Sequence, residues 1–81
     1  VRIPNQWAVP ANNSGIKLQL PAVVDLVVGS CLWNPDFGYF LITSFDKQGQ
    51  IVTIERKSTA TTAQPGTLVP SCTKFIFAPN I

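Results

Sequence analysis

The chain has 81 residues, a formal net charge of +2, 46% hydrophobic residues and only 12% charged ones. That is one small domain, of a size that buries only about 60% of its unfolded surface, and its charged fraction is about half the ordinary ~25%. It has no histidine and four carboxylates, Asp25, Asp36, Asp46 and Glu55, which form no pair in sequence. General acid–base catalysis therefore lacks its usual carriers, and the chain reads as one that packs and binds rather than reacts.

A small domain with so little charge must expose apolar area, and large apolar patches mark protein contacts. The basic residues Arg2, Lys17, Lys47, Arg56, Lys57 and Lys74 are spread along the chain, with only Arg56 and Lys57 adjacent. A nucleic-acid interface normally clusters its cations, so none is expected. No apolar run is long enough to span a bilayer, and no segment has the layout of a signal peptide. The chain begins at Val1 and contains no Met, which reads as a processed product or a piece of a longer polypeptide.

Residues 1–15 carry Pro4, Pro10, Asn12, Asn13, Ser14 and Gly15. Proline fixes φ and lacks an N–H, so this stretch reads as an extended arm and turn, not a paired strand. Trp7 sits inside it and needs a surface to lie on, either its own domain or a neighbour. Residues 16–81 form the domain proper. Ile16 to Leu20 alternates apolar and polar, the pattern of a half-buried strand, which Pro21 stops. Val23 to Val28 is a connecting turn or a short strand. Cys31-Leu32-Trp33 is a short strand ended by the turn cluster Asn34-Pro35-Asp36.

Gly38 to Phe45 is a strong strand. Strict alternation puts Tyr39, Leu41, Thr43 and Phe45 on one face and Phe40, Ile42 and Ser44 on the other. Both faces are largely apolar, so one requires cover from outside the domain core. Asp46 to Gln50 is a hairpin loop, with Gly49 available for positive φ. Ile51 to Arg56 is the returning strand, with Val52 and Ile54 inward. Ser58 to Ser71 reads as a loop, longer than the usual ~4–6 residues. Thr73 to Ala78 is the last strand, with Thr73, Phe75 and Phe77 on one face. No helical period appears. The expected fold is all-β: a small antiparallel barrel or sandwich of about five strands with an extended N-terminal arm. The expected core is Ile16, Leu18, Leu32, Phe40, Ile42, Val52, Ile54, Phe75 and Phe77, with Ile76 a rival in the last strand.

Val28-Gly29, Leu32, Gly38-Tyr39-Phe40, Ile42, Ser44, Ile51-Val52-Thr53-Ile54, Pro65-Gly66-Thr67 and Val69-Pro70-Ser71 stand in a distinctive order. Across about two thirds of the chain this order resembles a small β module of tailed-phage head-fibre, tail-fibre and collagen-like surface proteins. Asn34-Pro35-Asp36-Phe37 replaces the more Gly-rich turn of that pattern, and Cys31 and Cys72 replace polar or small residues. The resemblance implies a homotrimer on the outside of a virion, assembled in the host cytoplasm, without catalysis.

Two functions follow as expectations. The first is a virion structural protein, a capsid decoration (cement) or head-fibre module that contacts the major capsid protein or another virion protein. Trp7, Tyr39, Leu41 and Phe45 are its expected oligomer or capsid contacts. The second is a tail-fibre or surface-fibre module binding host carbohydrate through Trp33, Phe37 and Tyr39, residues that otherwise serve as the core of their hairpin. No cofactor or metal is expected. Cys31 and Cys72 read either as a disulfide or as two reduced, buried thiols. Asn12-Asn13-Ser14 fits a glycosylation acceptor but reads as a turn.

Overall fold

The computed structural model describes residues 1–20 and 26–79. Expectations that fall on Pro21 to Asp25, including the strand proposed from Val23, lie outside the described residues. The rest is all-β: β1 (Arg2–Ile3), β2 (Trp7–Ala8), β3 (Gly15–Gln19), β4 (Cys31–Asn34), β5 (Gly38–Asp46), β6 (Ile51–Thr61), β7 (Leu68–Val69), β8 (Thr73–Lys74) and β9 (Ile76–Ala78). Five strands form one antiparallel sheet in the order β3-β6-β5-β4-β9. Two short antiparallel ribbons, β1-β8 and β2-β7, accompany it. The sheet ends at β3 and β9 and does not close into a barrel.

Pairing of the first residues corrects the expectation of an unpaired arm. Arg2 and Ile3 align with Lys74 and Thr73, and Trp7 and Ala8 with Val69 and Leu68. The prolines alternate with these pieces, since a proline cannot donate to a ladder. The ribbons carry Ile3, Trp7, Val9, Val69 and Phe75 into one buried cluster with Leu18, Leu20, Leu32, Phe40, Ile42, Val52 and Ile54 of the sheet and its margin. Trp7 is only 6% exposed and packs edge-on to Phe40 at 5.3 Å. It therefore lies on its own domain and not on a neighbour. Among the described residues its indole N–H finds no acceptor, a cost of about 1–3 kcal/mol that packing must offset.

Most of the expected core is buried, with two departures at the sheet edges. Ile16 on β3 is half-buried. Phe77 on β9 is 42% exposed, although it pairs with the fully buried Leu32. Both departures have one cause: an edge strand has a neighbour on one side only. The final strand is also divided, because Phe75 turns into the core between β8 and β9.

The hairpin β5–β6 dominates the sheet and carries two irregularities. At Thr43 the register slips by one residue, so that Ile42 faces Ile54, Ser44 faces Thr53 and Phe45 faces Val52. The bulge reverses the alternation. Phe45 thus packs against the core, which corrects its placement on the face of Tyr39 and Leu41. The second irregularity sits where Gly38 pairs with Thr61 but Phe40 with Arg56, so that Lys57 to Ala60 bow out opposite Tyr39. Thr61 spans the bow, its hydroxyl donating to Tyr39 O and accepting from Lys57 N. Gly38 has φ +86°, and a Cβ there would lie 2.6 Å from Thr62 N. Strand β6 runs on to Thr61 through this bow, so the expected loop from Ser58 is partly strand.

At the hairpin tip the positive φ belongs to Gln50 (54°), not to Gly49. A Cβ at Gly49 would approach the Asp46 carboxylate at 3.1 Å, so that exposed side chain would have to shift slightly. Gln48 N donates to that carboxylate at 3.0 Å, closing the turn.

Two outcomes test this packing by urea denaturation. Ile54→Ala should cost about 2–5 kcal/mol, the usual range for a fully buried aliphatic, whereas Phe77→Thr should cost under ~1 kcal/mol. Trp7→Ala should cost about 3–5 kcal/mol, but Trp7→Phe much less, since it keeps a ring and removes an unpaired donor.

Candidate functional site

The ribbons cover one face of the sheet. On the other, Trp33 pairs with Tyr39 on one side and with Ile76 on the other, so the three side chains lie in a row across β5, β4 and β9. The next row along holds Leu41, Cys31 and Ala78. Trp33, Tyr39 and Leu41 are half-buried and Ile76 is 50% exposed. None of these four belongs to the core cluster or packs against it. The rings of Trp33 and Tyr39 lie 6.2 Å apart and tilted.

Beside this row is a pocket of about 350 Å³ lined by Trp33, Asn34, Pro35, Lys74 and Ile76. The turn at its floor is built by Asn34. This buried side chain accepts from Asp36 N at 2.7 Å and donates to Lys74 O at 2.8 Å. Its amide is thus committed on both sides, and the pocket walls are aromatic and aliphatic apart from the Lys74 stem and ammonium.

The candidate contact residues separate in space. Tyr39 and Leu41 share the outer face with Trp33. Phe37 instead stacks on Phe75 at 6.5 Å and packs against the core, and Phe40 is fully buried. The aromatic cluster Trp33, Phe37, Tyr39, Phe40 seen in sequence is therefore divided between two faces. Sequence reasoning missed Ile76 and Lys74 as members of the outer site. Their alternation with Phe75 and Phe77 was the available signal.

Charge is arranged unevenly around the site. Lys57 pairs with Glu55 at 3.3 Å, a partly exposed contact worth about 0–1 kcal/mol. Arg2 and Lys74 are direct cross-strand partners, and neither forms an ion pair among the described residues. Arg56 is buried on the opposite face, with no carboxylate partner among the described residues. Its Nε donates to Ala63 O at 2.8 Å and its Nη1 to the Asn12 side chain. Asn12 belongs to the turn before β3, where Ser14 N bonds Ala11 O at 3.1 Å and Asn13 adopts φ 62°. Among the described residues no three His, Cys, Asp or Glu side chains gather in one place.

The two cysteines are separate free thiols. Cys31 is buried beneath the outer face, whereas Cys72 is exposed in the turn before β8. The expectation of two buried thiols holds for Cys31 alone. Burial pushes the Cys31 thiol above its ordinary range.

No protein-family model matches the chain, and no curated protein or solved structure matches it either.

Thiol chemistry gives a direct check. A disulfide-exchange reagent should modify Cys72 at once and Cys31 only on unfolding. The unfolded Cys31 thiol ionises near ~8.5, while the folded one stays protonated to higher pH. The unfolded chain thus loses its proton first, and the contribution of Cys31 to stability is complete below ~8.5 and declines above it. Urea stability should fall above about pH 8.5 more steeply than in Cys31→Val.

Proposed function

We propose that the chain is a virion structural protein of a tailed phage, a capsid decoration or head-fibre module that acts as a homotrimer. The observation that carries this reading is the outer sheet face, where Trp33, Tyr39, Leu41 and Ile76 are left without cover from the chain's own core. Decoration requires distributed burial of apolar surface and no reactive centre, which suits a chain with no histidine and four scattered carboxylates. The order of turns and strands resembling phage β modules supports the three-fold, particle-bound part of the reading. Tyr39 and Leu41 remain the proposed contacts from the original set, joined by Trp33 and Ile76. Trp7 and Phe45 are spent on the domain's own core.

The carbohydrate reading is weaker. Trp33 and Tyr39 offer ring faces for a sugar, but the Asn34 amide beside them is already bonded to Asp36 N and Lys74 O. A sugar site needs several free polar groups around its aromatic platform. An apolar side chain needs none.

Sedimentation of the isolated chain, with labelling of intact particles assembled in its presence, tests the proposal. A trimer on the head is the expected result. A stable monomer that never associates with particles would overturn it, and a trimer confined to the tail would replace it with the fibre reading.

A further inference from the structure

The outer pocket is one-sided in its chemistry. Trp33, Pro35 and Ile76 give it apolar walls, and its volume of about 350 Å³ lies at the small end of the ~300–1,000 Å³ usual for ligand sites. Its free side-chain polar groups only donate. One is the exposed Lys74 ammonium, which forms no ion pair among the described residues. The other is the Trp33 indole N–H. Among the described residues the side-chain nitrogen or oxygen buried without a partner is Trp7 Nε1 alone. The Trp33 N–H, which bonds nothing in the domain, therefore opens to solvent.

Acceptors are already taken. The Asn34 side chain is buried and its oxygen accepts from Asp36 N. The Lys74 carbonyl accepts from Asn34 Nδ2 at 2.8 Å. Asp36 is exposed in the same turn but does not line the pocket.

An aromatic platform adjoins the pocket. Trp33 and Tyr39 are direct partners across β4 and β5. Their rings lie 6.2 Å apart at an interplanar angle of 47°, so they meet as two walls of a shallow groove. The Tyr39 hydroxyl also bonds nothing among the described residues and is a third donor.

A partner for this surface must bring apolar bulk and carbonyl acceptors, and few donors. A sugar brings a donor with every hydroxyl, and the pocket has no side-chain acceptor for them. A helix or a paired strand spends its carbonyls on its own ladder. A polyproline II segment leaves every carbonyl unbonded, and proline has no N–H to satisfy. Its rings supply the apolar surface, and its conformation is set before binding.

We infer that the outer face binds a proline-rich segment of a partner protein in the polyproline II conformation, with a proline ring in the pocket against Trp33 and a carboxylate of the same segment at Lys74. The Trp33 N–H and the Tyr39 hydroxyl donate to carbonyls of the segment. Leu41, in the next row of the face, extends the apolar surface beneath it. This names the partner chemistry of the docking role proposed above and rests on that reading.

The test is NMR titration of the whole chain with the acetylated peptide Pro-Pro-Glu-Pro-Pro and with its counterpart carrying Ala for every Pro. The chain has two tryptophans, so one indole N–H signal reports on the site and the other serves as a control. The expected result is a saturable shift of the Trp33 indole signal with the first peptide, while that of Trp7 stays in place. The alanine peptide should bind at least about tenfold more weakly, since it lacks both the rings and the preset conformation. Trp33→Phe keeps a ring and removes the N–H. It should melt close to the parent and bind at least about threefold more weakly, followed at the Tyr39 and Ile76 amides. Lys74→Gln should bind Pro-Pro-Glu-Pro-Pro about threefold more weakly and Pro-Pro-Gln-Pro-Pro as the parent does. Equal binding of the proline and alanine peptides, shifts confined to other residues, or undiminished binding by Trp33→Phe or Lys74→Gln would overturn the inference. So would a Trp33 signal that moves with chain concentration alone, which would make the occupant a second copy. If the chain reaches particles but the proline peptide does not bind it, the docking function stands and this inference falls. If the peptide binds at Trp33 but the chain never reaches a particle, the virion reading falls and the inference stands.

Discussion

Everything in this domain depends on the contact among Trp7, Phe40 and Phe75. Phe40 lies at the centre of the sheet, Trp7 in the β2-β7 ribbon and Phe75 between the last two strands. Their rings meet at 5.3–6.1 Å. Each ribbon has only two aligned pairs, and a ladder that short has little stability of its own. The ribbons persist because their aromatics are buried against the sheet. The sheet in turn has a covered face only because the ribbons persist. The unpaired indole N–H of Trp7 is tolerated inside this arrangement because moving the ring would uncover both partners.

Arg56 makes a second tie of a different kind. A guanidinium buried without a carboxylate is costly unless its donors are bonded. Here they reach Ala63 O beyond the bowed strand and Asn12 before β3. One side chain thereby joins β6 both to the segment that follows it and to the turn before β3, far away in sequence. The same geometry removes a cation from the surface, which leaves the Arg2–Lys74 corner as a concentrated positive feature on a sparsely charged exterior.

Local pattern made the hairpin and its inward residues Val52, Ile54, Phe40 and Ile42 legible. Both strands keep the two-residue period through these residues, and their turn is short. Phe45 was not legible, because a bulge at Thr43 changes the phase without any glycine or proline to announce it. The first ten residues were misread for a related reason. Their prolines describe the local chain correctly, but their partners lie at Leu68 to Phe75, and no local signal reports so distant a pairing. At the outer site, Trp33 and Tyr39 were evident as aromatics around one turn. Phe37, their neighbour in sequence, falls on the other side because the turn reverses between them. In the sequence pattern Ile76 and Phe77 are rivals for one core place. The edge position of β9 gives neither of them full burial.

The pairing of the first residues with the last strands also governs how the domain is made. The chain leaves the ribosome with Trp7 first, but Val69 opposite it emerges about sixty residues later, several seconds at ~5–20 residues per second. Hairpin β5–β6 forms from nearby residues and ends at Thr61, shortly before Val69 emerges. During that interval Trp7 and Val9 have no ribbon partners, and the inner face of the hairpin lacks its cover. Nascent chains therefore present a hydrophobic arm and an uncovered sheet together, the condition in which neighbouring copies on a polysome exchange arms most readily. A domain that closes on its own beginning is thus exposed to arm-swapped assembly before its synthesis is finished.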